Sequence, residues 1–424
     1  MAIAWQIDEL ANGLRVVTTP VSTAQSVSVC IFLGVGSRME ERRTIGLSHY
    51  LEHMLFKGSA ARPNALAISQ AIEGAGGVLN AFTNKELTGY WAQVPYDRLD
   101  LALDVLADMV AHPLLGAEEL ERERSVVQQE IRRAHDQPAH WAGELLSRAA
   151  YGDQPLGWPI AGTEESVQGL TRQDFLDHVA RWYVPENIVV SVAGNTERDR
   201  VLALAQEKLG SLARSPFPSF LPAKPGLPKE RVQVESRPIE QCNLAIGLRA
   251  LSRKDPDRFA LAILNSVLGR GMSSRLFKEV RERRGLAYSV GSSVSRHHDT
   301  GLLAIGAGVG PQNLEEAAKV ILEEVFRMVD EPVPEEEMTR ARDYTVGNFR
   351  LSLETTMALA HLTGESLLTE GEIEEVDDMV ARLQAVTAAD VQRLAQRLFR
   401  RDNVAMAIVG PQASTALLEE ALSR

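Results

Sequence analysis

One string of residues, met twice at a fixed spacing, constrains this chain more than any other feature. Thr171, Asp174, Arg181, Asn187 and Gly194 are answered by Thr387, Asp390, Arg397, Asn403 and Gly410, each 216 positions further on. Both segments read as helix, short turn, apolar strand and glycine, and Thr-x-x-Asp opens the helix in each. Upstream, Leu99–Glu130 matches Leu314–Asn348 in pattern: an apolar helix, a short break, then an acidic helix in which Arg340 answers Arg122. Recurring helix caps could arise by convergence, but a whole string at one offset points to duplication. The chain therefore reads as two copies of one α/β unit of about 210 residues, a domain-sized module. Its 424 residues are in any case too many for a single ordinary core. Between about 211 and 240 the texture changes: Pro216, Pro218, Pro222, Pro225, Pro228 and Pro238 crowd in with Lys and Ser. That is linker composition. The boundaries expected are a first domain at 1–212, a linker at 213–236 and a second domain at 237–424.

In the first copy, Gly13–Thr19 and Ser26–Leu33 read as strands from their β-branched content and partial alternation. A short helix follows over 48–56 and another over 63–74, which Gly74, Gly76 and Gly77 end. Val78–Phe82 and Gly89–Val94 form a hairpin pattern; helices are expected at 97–112, 118–133 and 171–183, and a strand at 187–192.

The helix at 48–56 carries the chemistry. On a helical wheel Leu47, Tyr50, Leu51, Met54 and Leu55 fall on one side, and His49, Glu52, His53 and Phe56 on the other. His49 and His53 are one turn apart, so both imidazoles can point at one spot, with Glu52 beside them. Two imidazoles suit a borderline-soft cation such as zinc, and an adjacent carboxylate suits proton transfer. His-x-x-Glu-His is the inverted zinc-hydrolase signature. It calls for a third protein ligand elsewhere, because catalytic zinc keeps three protein ligands and one open position.

The repeat narrows the search for that ligand. The second copy has only His297, His298 and His361, none in such a setting, so metal binding belongs to the first. On the charged helix of the first copy, Glu123 and Glu130 are seven residues apart and share a face. Their counterparts are Ala341 and Asn348. Both acids vanish from the copy that lacks the histidines, which ties the pair to the metal site.

His49-x-x-Glu52-His53 followed after 76 residues by Glu130 resembles the pitrilysin-type metallopeptidases, also called the insulinase family. The likeness is to its short form, that of the mitochondrial processing peptidase β subunit and bacterial relatives. It extends to Gly34-Val35-Gly36-Ser37-Arg38, Asn80-Ala81-Phe82-Thr83, Gly271-Met272-Ser273-Ser274-Arg275-Leu276-Phe277 and Arg281-x6-Tyr288. The resemblance implies an α+β fold of two homologous α/β sandwich domains, each an antiparallel-rich sheet with helices packed on it. It implies His49, His53 and Glu130 as ligands of a Zn2+ cofactor, Glu52 as general base and Glu123 as a supporting acid. It places Asn80, Ala81 and Phe82 on an edge that binds substrate by strand addition. Tyr288 and Arg281 become the second copy's contribution, one donating to the oxyanion and the other holding substrate backbone. The activity implied is zinc-dependent endopeptidase action on short or unfolded polypeptides held between paired domains, by a homodimer or by a heterodimer with a related chain. The alternative is a non-catalytic assembly subunit of the same fold.

Composition bounds the remaining partners. A formal net charge of −12 argues against nucleic acid and anionic membrane surfaces. No apolar stretch approaches the roughly 20 residues needed to span a bilayer. The start of the chain lacks a basic segment followed by an apolar run, and Cys30 and Cys242 sit in no CxxC pair, so a reducing cytoplasm is the compartment expected.

Overall fold

The computed structural model describes residues 3–411, Ser414 and Leu418. In chain order it begins with strands β1 (Gln6–Glu9), β2 (Arg15–Pro20) and β3 (Ser26–Leu33), then helices α1 (Leu47–Leu55) and α2 (Ala65–Glu73). Next come β4 (Val78–Thr83), β5 (Thr88–Pro95), α3 (Leu99–Ala111), α4 (Ala117–His135) and α5 (Pro138–Tyr151). They are followed by α6 (Glu164–Gly169), α7 (Arg172–Trp182), β6 (Ile188–Gly194) and α8 (Arg198–Leu209). Residues 213–231 hold no helix or strand. The second series is β7 (Val232–Ser236), β8 (Cys242–Ala250), α9 (Arg258–Gly269), a π-helical segment Phe277–Arg283, β9 (Ala287–Arg296) and β10 (Gly301–Val309). It closes with α10 (Leu314–Asp330), α11 (Glu335–Leu351), α12 (Thr356–Glu370), α13 (Val376–Ala385), α14 (Ala388–Leu398) and β11 (Val404–Gly410).

The fold is α+β, with two sheets ordered β1-β2-β6-β3-β5-β4 and β7-β11-β8-β10-β9. In each, one parallel pairing (β2 with β6, β7 with β11) joins an otherwise antiparallel sheet. The registers coincide. Across the first sheet Ala81 pairs with Tyr90, Tyr90 with Ile31 and Ile31 with Val190. Across the second Ser292 pairs with Ile305, Ile305 with Ile246 and Ile246 with Met406. Val190 and Met406 are 216 residues apart, the same offset met in the sequence.

Two compact units result, and they depart from contiguous halves of the chain. Unit 1 gathers the residues up to Ile131, Pro159–Leu221 and Arg350–Val376; unit 2 gathers Arg132–Trp158, Pro222–Phe349 and the described residues from Asp377 on. The two exchanged segments carry α12 and α5, which hold equivalent places in the repeat. Strand β3 is buried on both faces. Val27, Val29, Ile31 and Leu33 face the main core with α1 and α3, while Cys30 and Phe32 lie under Leu359 and Ala360 of α12. Helix and sheet approach so closely here that a Cβ on Gly364 would clash with the Phe32 ring. In unit 2, Val404, Met406 and Ile408 of β11 face the core, and Ala405, Ala407 and Val409 lie under Ala142, Leu146 and Ala149 of α5. The linker ends earlier than its prolines suggest, because Val232 and Val234 alternate into the second core as part of β7.

One ion pair in unit 1 is almost free of water. Arg38 (1 % exposed) meets Glu86 (7 %) at 2.7 Å, and its guanidinium lies 4.1 Å from the centroid of the Phe220 ring. Removing one partner of such a pair strands a buried charge. Glu86→Ala is expected to cost roughly 3–5 kcal/mol, read as a lowered urea midpoint for the full chain.

Candidate metal centre

Helix α1 forms because its apolar residues recur at helical spacing and all of them bury: Leu47, Tyr50, Leu51, Met54 and Leu55. His49, Glu52 and His53 stay half-buried on the other face. The helix begins at Gly46, whose φ of +93° suits glycine, and glycine has no side chain with which to cap it. Glu40 does so instead, its carboxylate accepting the Gly46 N–H at 2.8 Å and the Ser48 N–H at 2.7 Å. Burial pushes the Glu40 carboxyl up to about 7, opposed by those two donors. A raised carboxyl adds stability that is fully present below the ordinary value near 4.5 and is lost as the pH climbs through about 7. Unfolding free energies measured from pH 4 to pH 8 should therefore fall across that window in wild type relative to Glu40→Gln, with the difference flat above it.

The Tyr50 hydroxyl donates to the Leu120 carbonyl and so ties α1 to α4. That tie sets α4's acidic face against the histidines. His53 Nε2 lies 3.3 Å and His49 Nε2 3.7 Å from Glu130 Oε2. The three ligand atoms lie within 4.8 Å of one another, the one such cluster among the described residues. Tetrahedral zinc with bonds near 2.1 Å holds its ligand atoms about 3.4 Å apart. Two imidazoles and one carboxylate at these spacings fit zinc, and three protein ligands make a set that leaves a fourth position open.

The surrounding groups set the charge states. Burial, helped by His53, lowers His49 to about 4, so it is the neutral imidazole a metal requires. Its Nδ1 is buried without a hydrogen-bond partner. Burial alone would lower His53 as well, but the Glu123 hydrogen bond and the charges of Glu130, Glu123 and Glu52 raise it. Glu123 is only 5 % exposed. Burial works to raise its carboxyl, yet His53 Nδ1 at 2.8 Å and Lys57 Nζ at 2.6 Å hold it below the usual value. An ionised Glu123 only accepts, so the His53 Nδ1 carries the proton and Nε2 is turned toward Glu130. Glu52 is raised chiefly by burial, against a hydrogen bond donated by Thr83 Oγ1 at 2.6 Å.

Asn80, Ala81 and Phe82 lie on β4, the edge strand of its sheet. Ala81 packs toward the core that α1 shares. Phe82 stacks on His361 with centroids 5.5 Å apart, so its side chain belongs to the α12 face and only its backbone follows the open edge. The Asn80 Oδ1 accepts the Ala81 N–H at 2.8 Å. In unit 2, Tyr288 on edge strand β9 is 78 % exposed, and the Arg281 guanidinium stands 5.6 Å from its ring centroid and 4.8 Å from that of Phe277.

Three supporting residues escaped the reading of the sequence. Lys57 follows His53 by one helical turn, a spacing that could have revealed it. Thr83 ends the Asn80–Thr83 stretch and reaches Glu52 because alternation turns it to the same side as Ala81. Glu40 had no local signal, since it caps a helix from a preceding turn.

The sequence matches the descriptions Insulinase (Peptidase family M16) over residues 15–164 and Peptidase M16 inactive domain over residues 169–344. It is similar to an uncharacterized zinc protease of Streptomyces coelicolor, 38 % identical over 95 % of this chain and 88 % of that one. It is also similar to the uncharacterized zinc protease YmxG of Bacillus subtilis, 36 % identical over 95 % of this chain and 97 % of the relative. Among solved structures, a protease from Helicobacter pylori shares the fold at a TM-score of 0.89 and 24 % identity, covering 96 % of this chain and all of that one. A peptidase M16 inactive domain from Pseudomonas fluorescens does so at 0.89 and 21 %, over 97 % and 99 %. Among the described residues no helix is long and apolar enough to cross a membrane.

Proposed function

Because this chain belongs to the insulinase family, peptidase family M16, we propose that it is a zinc-dependent endopeptidase acting on short or unfolded polypeptides. The observation that carries this reading is Glu52 standing on the same helix face as His49 and His53, its carboxylate fixed by Thr83, with Glu130 completing three ligand atoms. His49, His53 and Glu130 would hold zinc, which when bound supplies a Lewis acid that polarises a carbonyl and makes water more acidic.

The chain's own residues do the rest. Glu52 takes the proton of the attacking water and returns it to the leaving nitrogen. Its raised carboxyl suits both halves of that exchange. Glu123 fixes the His53 tautomer, and Lys57 balances the Glu123 charge. The open side of β4 offers Asn80–Phe82 backbone for an incoming strand, once the Asn80 carboxamide swings off the Ala81 N–H. The Tyr288 phenol and Arg281 guanidinium are the donors we assign to the substrate's developing oxyanion and backbone. Pairing with a second copy, or with a related chain, is part of the same reading.

A quenched-fluorescence peptide library, incubated with the zinc-loaded protein with and without a chelator, tests it. Cleavage that the chelator stops and added zinc restores is the expected result. Zinc bound with no peptide cleaved would favour the non-catalytic assembly subunit instead.

A further inference from the structure

The repeat places a second cleft where the metal centre's counterpart should be. In unit 1 the working face of α1 looks toward β4; in unit 2 the equivalent elements are α9 and β9, and Ser292 occupies the register position of Ala81. Between α9 and β9 lies a cavity of about 320 Å³. Three arginines line it, Arg258, Arg270 and Arg296, together with Asn265, Ser292 and Ser293. No carboxylate lines it among the described residues.

Asn265 makes this cleft more than a group of surface charges. It is 5 % exposed, yet it lines the cavity. Its Oδ1 accepts the Ser292 hydroxyl at 2.6 Å, which fixes the orientation of the carboxamide. Ser292 is its one side-chain hydrogen-bond partner among the described residues, which leaves the Nδ2 donors of this cavity-lining residue uncommitted. An uncommitted amide donor in the wall of a cavity lined by arginines is complementary to an acceptor that carries negative charge. The Arg258 guanidinium is braced 4.6 Å from the centroid of the Phe259 ring, which limits its freedom.

We propose that this cleft, the metal-free copy's version of the metal site, binds a small ligand bearing an oxyanion, with Arg258, Arg270, Arg296 and the Asn265 amide as donors. The volume admits the oxyanion together with part of the group that carries it, such as a phosphate ester or the carboxylate end of an acidic side chain. The duplicated fold kept its cleft, and side-chain replacement changed the cleft's preference from a cation to an anion. This does not depend on the peptidase reading.

Calorimetric titration of the full chain at low ionic strength, with inorganic phosphate and separately with acetate, tests the proposal. Saturable binding of at least one anion is expected. It should weaken by about tenfold or more in the Arg270→Gln/Arg296→Gln variant, as expected for lost charge-assisted donors. It should also be lost in Asn265→Asp, which turns the amide donor into a carboxylate. It should persist in His49→Ala/His53→Ala, which separates this cleft from the metal centre. Arg270 and Arg296 are exposed, so their double variant folds and decides the matter even if Asn265→Asp does not. Binding of phosphate alone assigns phosphate-bearing ligands; binding of acetate as well extends the site to carboxylates. No saturable binding of either anion, or binding untouched by the arginine replacements, overturns the proposal.

Discussion

Glu52→Gln is expected to retain its zinc and to lose about 10²- to 10⁴-fold in kcat for peptide hydrolysis, the usual worth of a positioned proton-transfer group. Gln has the shape of Glu and still offers an oxygen to the Thr83 hydroxyl, so the local geometry survives. What it lacks is the ability to accept a proton. The residue is not among the three ligand atoms, so metal content measured by atomic absorption should match wild type. The split between intact metal and lost turnover is the signature of a base. A variant that keeps wild-type turnover would remove Glu52 from the mechanism.

Glu130→Ala should act on the other side of that split. It removes the carboxylate shared by both histidines and leaves two imidazoles on one helix. Zinc held by a full ligand set is worth about 10–16 kcal/mol, so one ligand in three or four is worth roughly 3–4 kcal/mol, or about 10²- to 10³-fold in affinity. Glu123→Ala should cost less, about 10- to 100-fold, because Glu123 orients His53 without being one of the three ligand atoms. Competition with a fluorescent chelator would rank wild type, Glu123→Ala and Glu130→Ala in falling order of affinity. Equal affinities for the two variants would contradict the assignment of Glu130 as the third ligand.

The repeat made the architecture legible because both copies kept their helix starts and strand ends. Thr171 and Thr387 each share a capping box with an aspartate three residues on, and β6 and β11 follow at equal distance. What the same symmetry hid is the exchange of α5 and α12. Two sheets descended from one offer nearly the same apolar face, so nothing local tells α12 that it will cover Phe32 and not the strands of its own half. The α1 face was readable because one short helix holds both imidazoles and Glu52, and its opposite side is uniformly apolar. Glu123 and Glu130 were readable only by comparison with Ala341 and Asn348, since a charged helix carries many glutamates for solubility alone. Thr83, Lys57 and Glu40 act through partners set by packing between elements, which single-strand or single-helix periodicity does not encode.

The most direct test is a zinc titration of the chelator-stripped full chain, with cleavage of an unfolded polypeptide followed by mass spectrometry at each addition. Activity should rise in proportion to bound zinc, reach its plateau at one equivalent per chain, and stay at background throughout the same titration of Glu52→Gln. Zinc that binds in full without any cleavage by wild type, or cleavage that proceeds with the metal removed, would contradict a zinc peptidase centred on His49, His53 and Glu130.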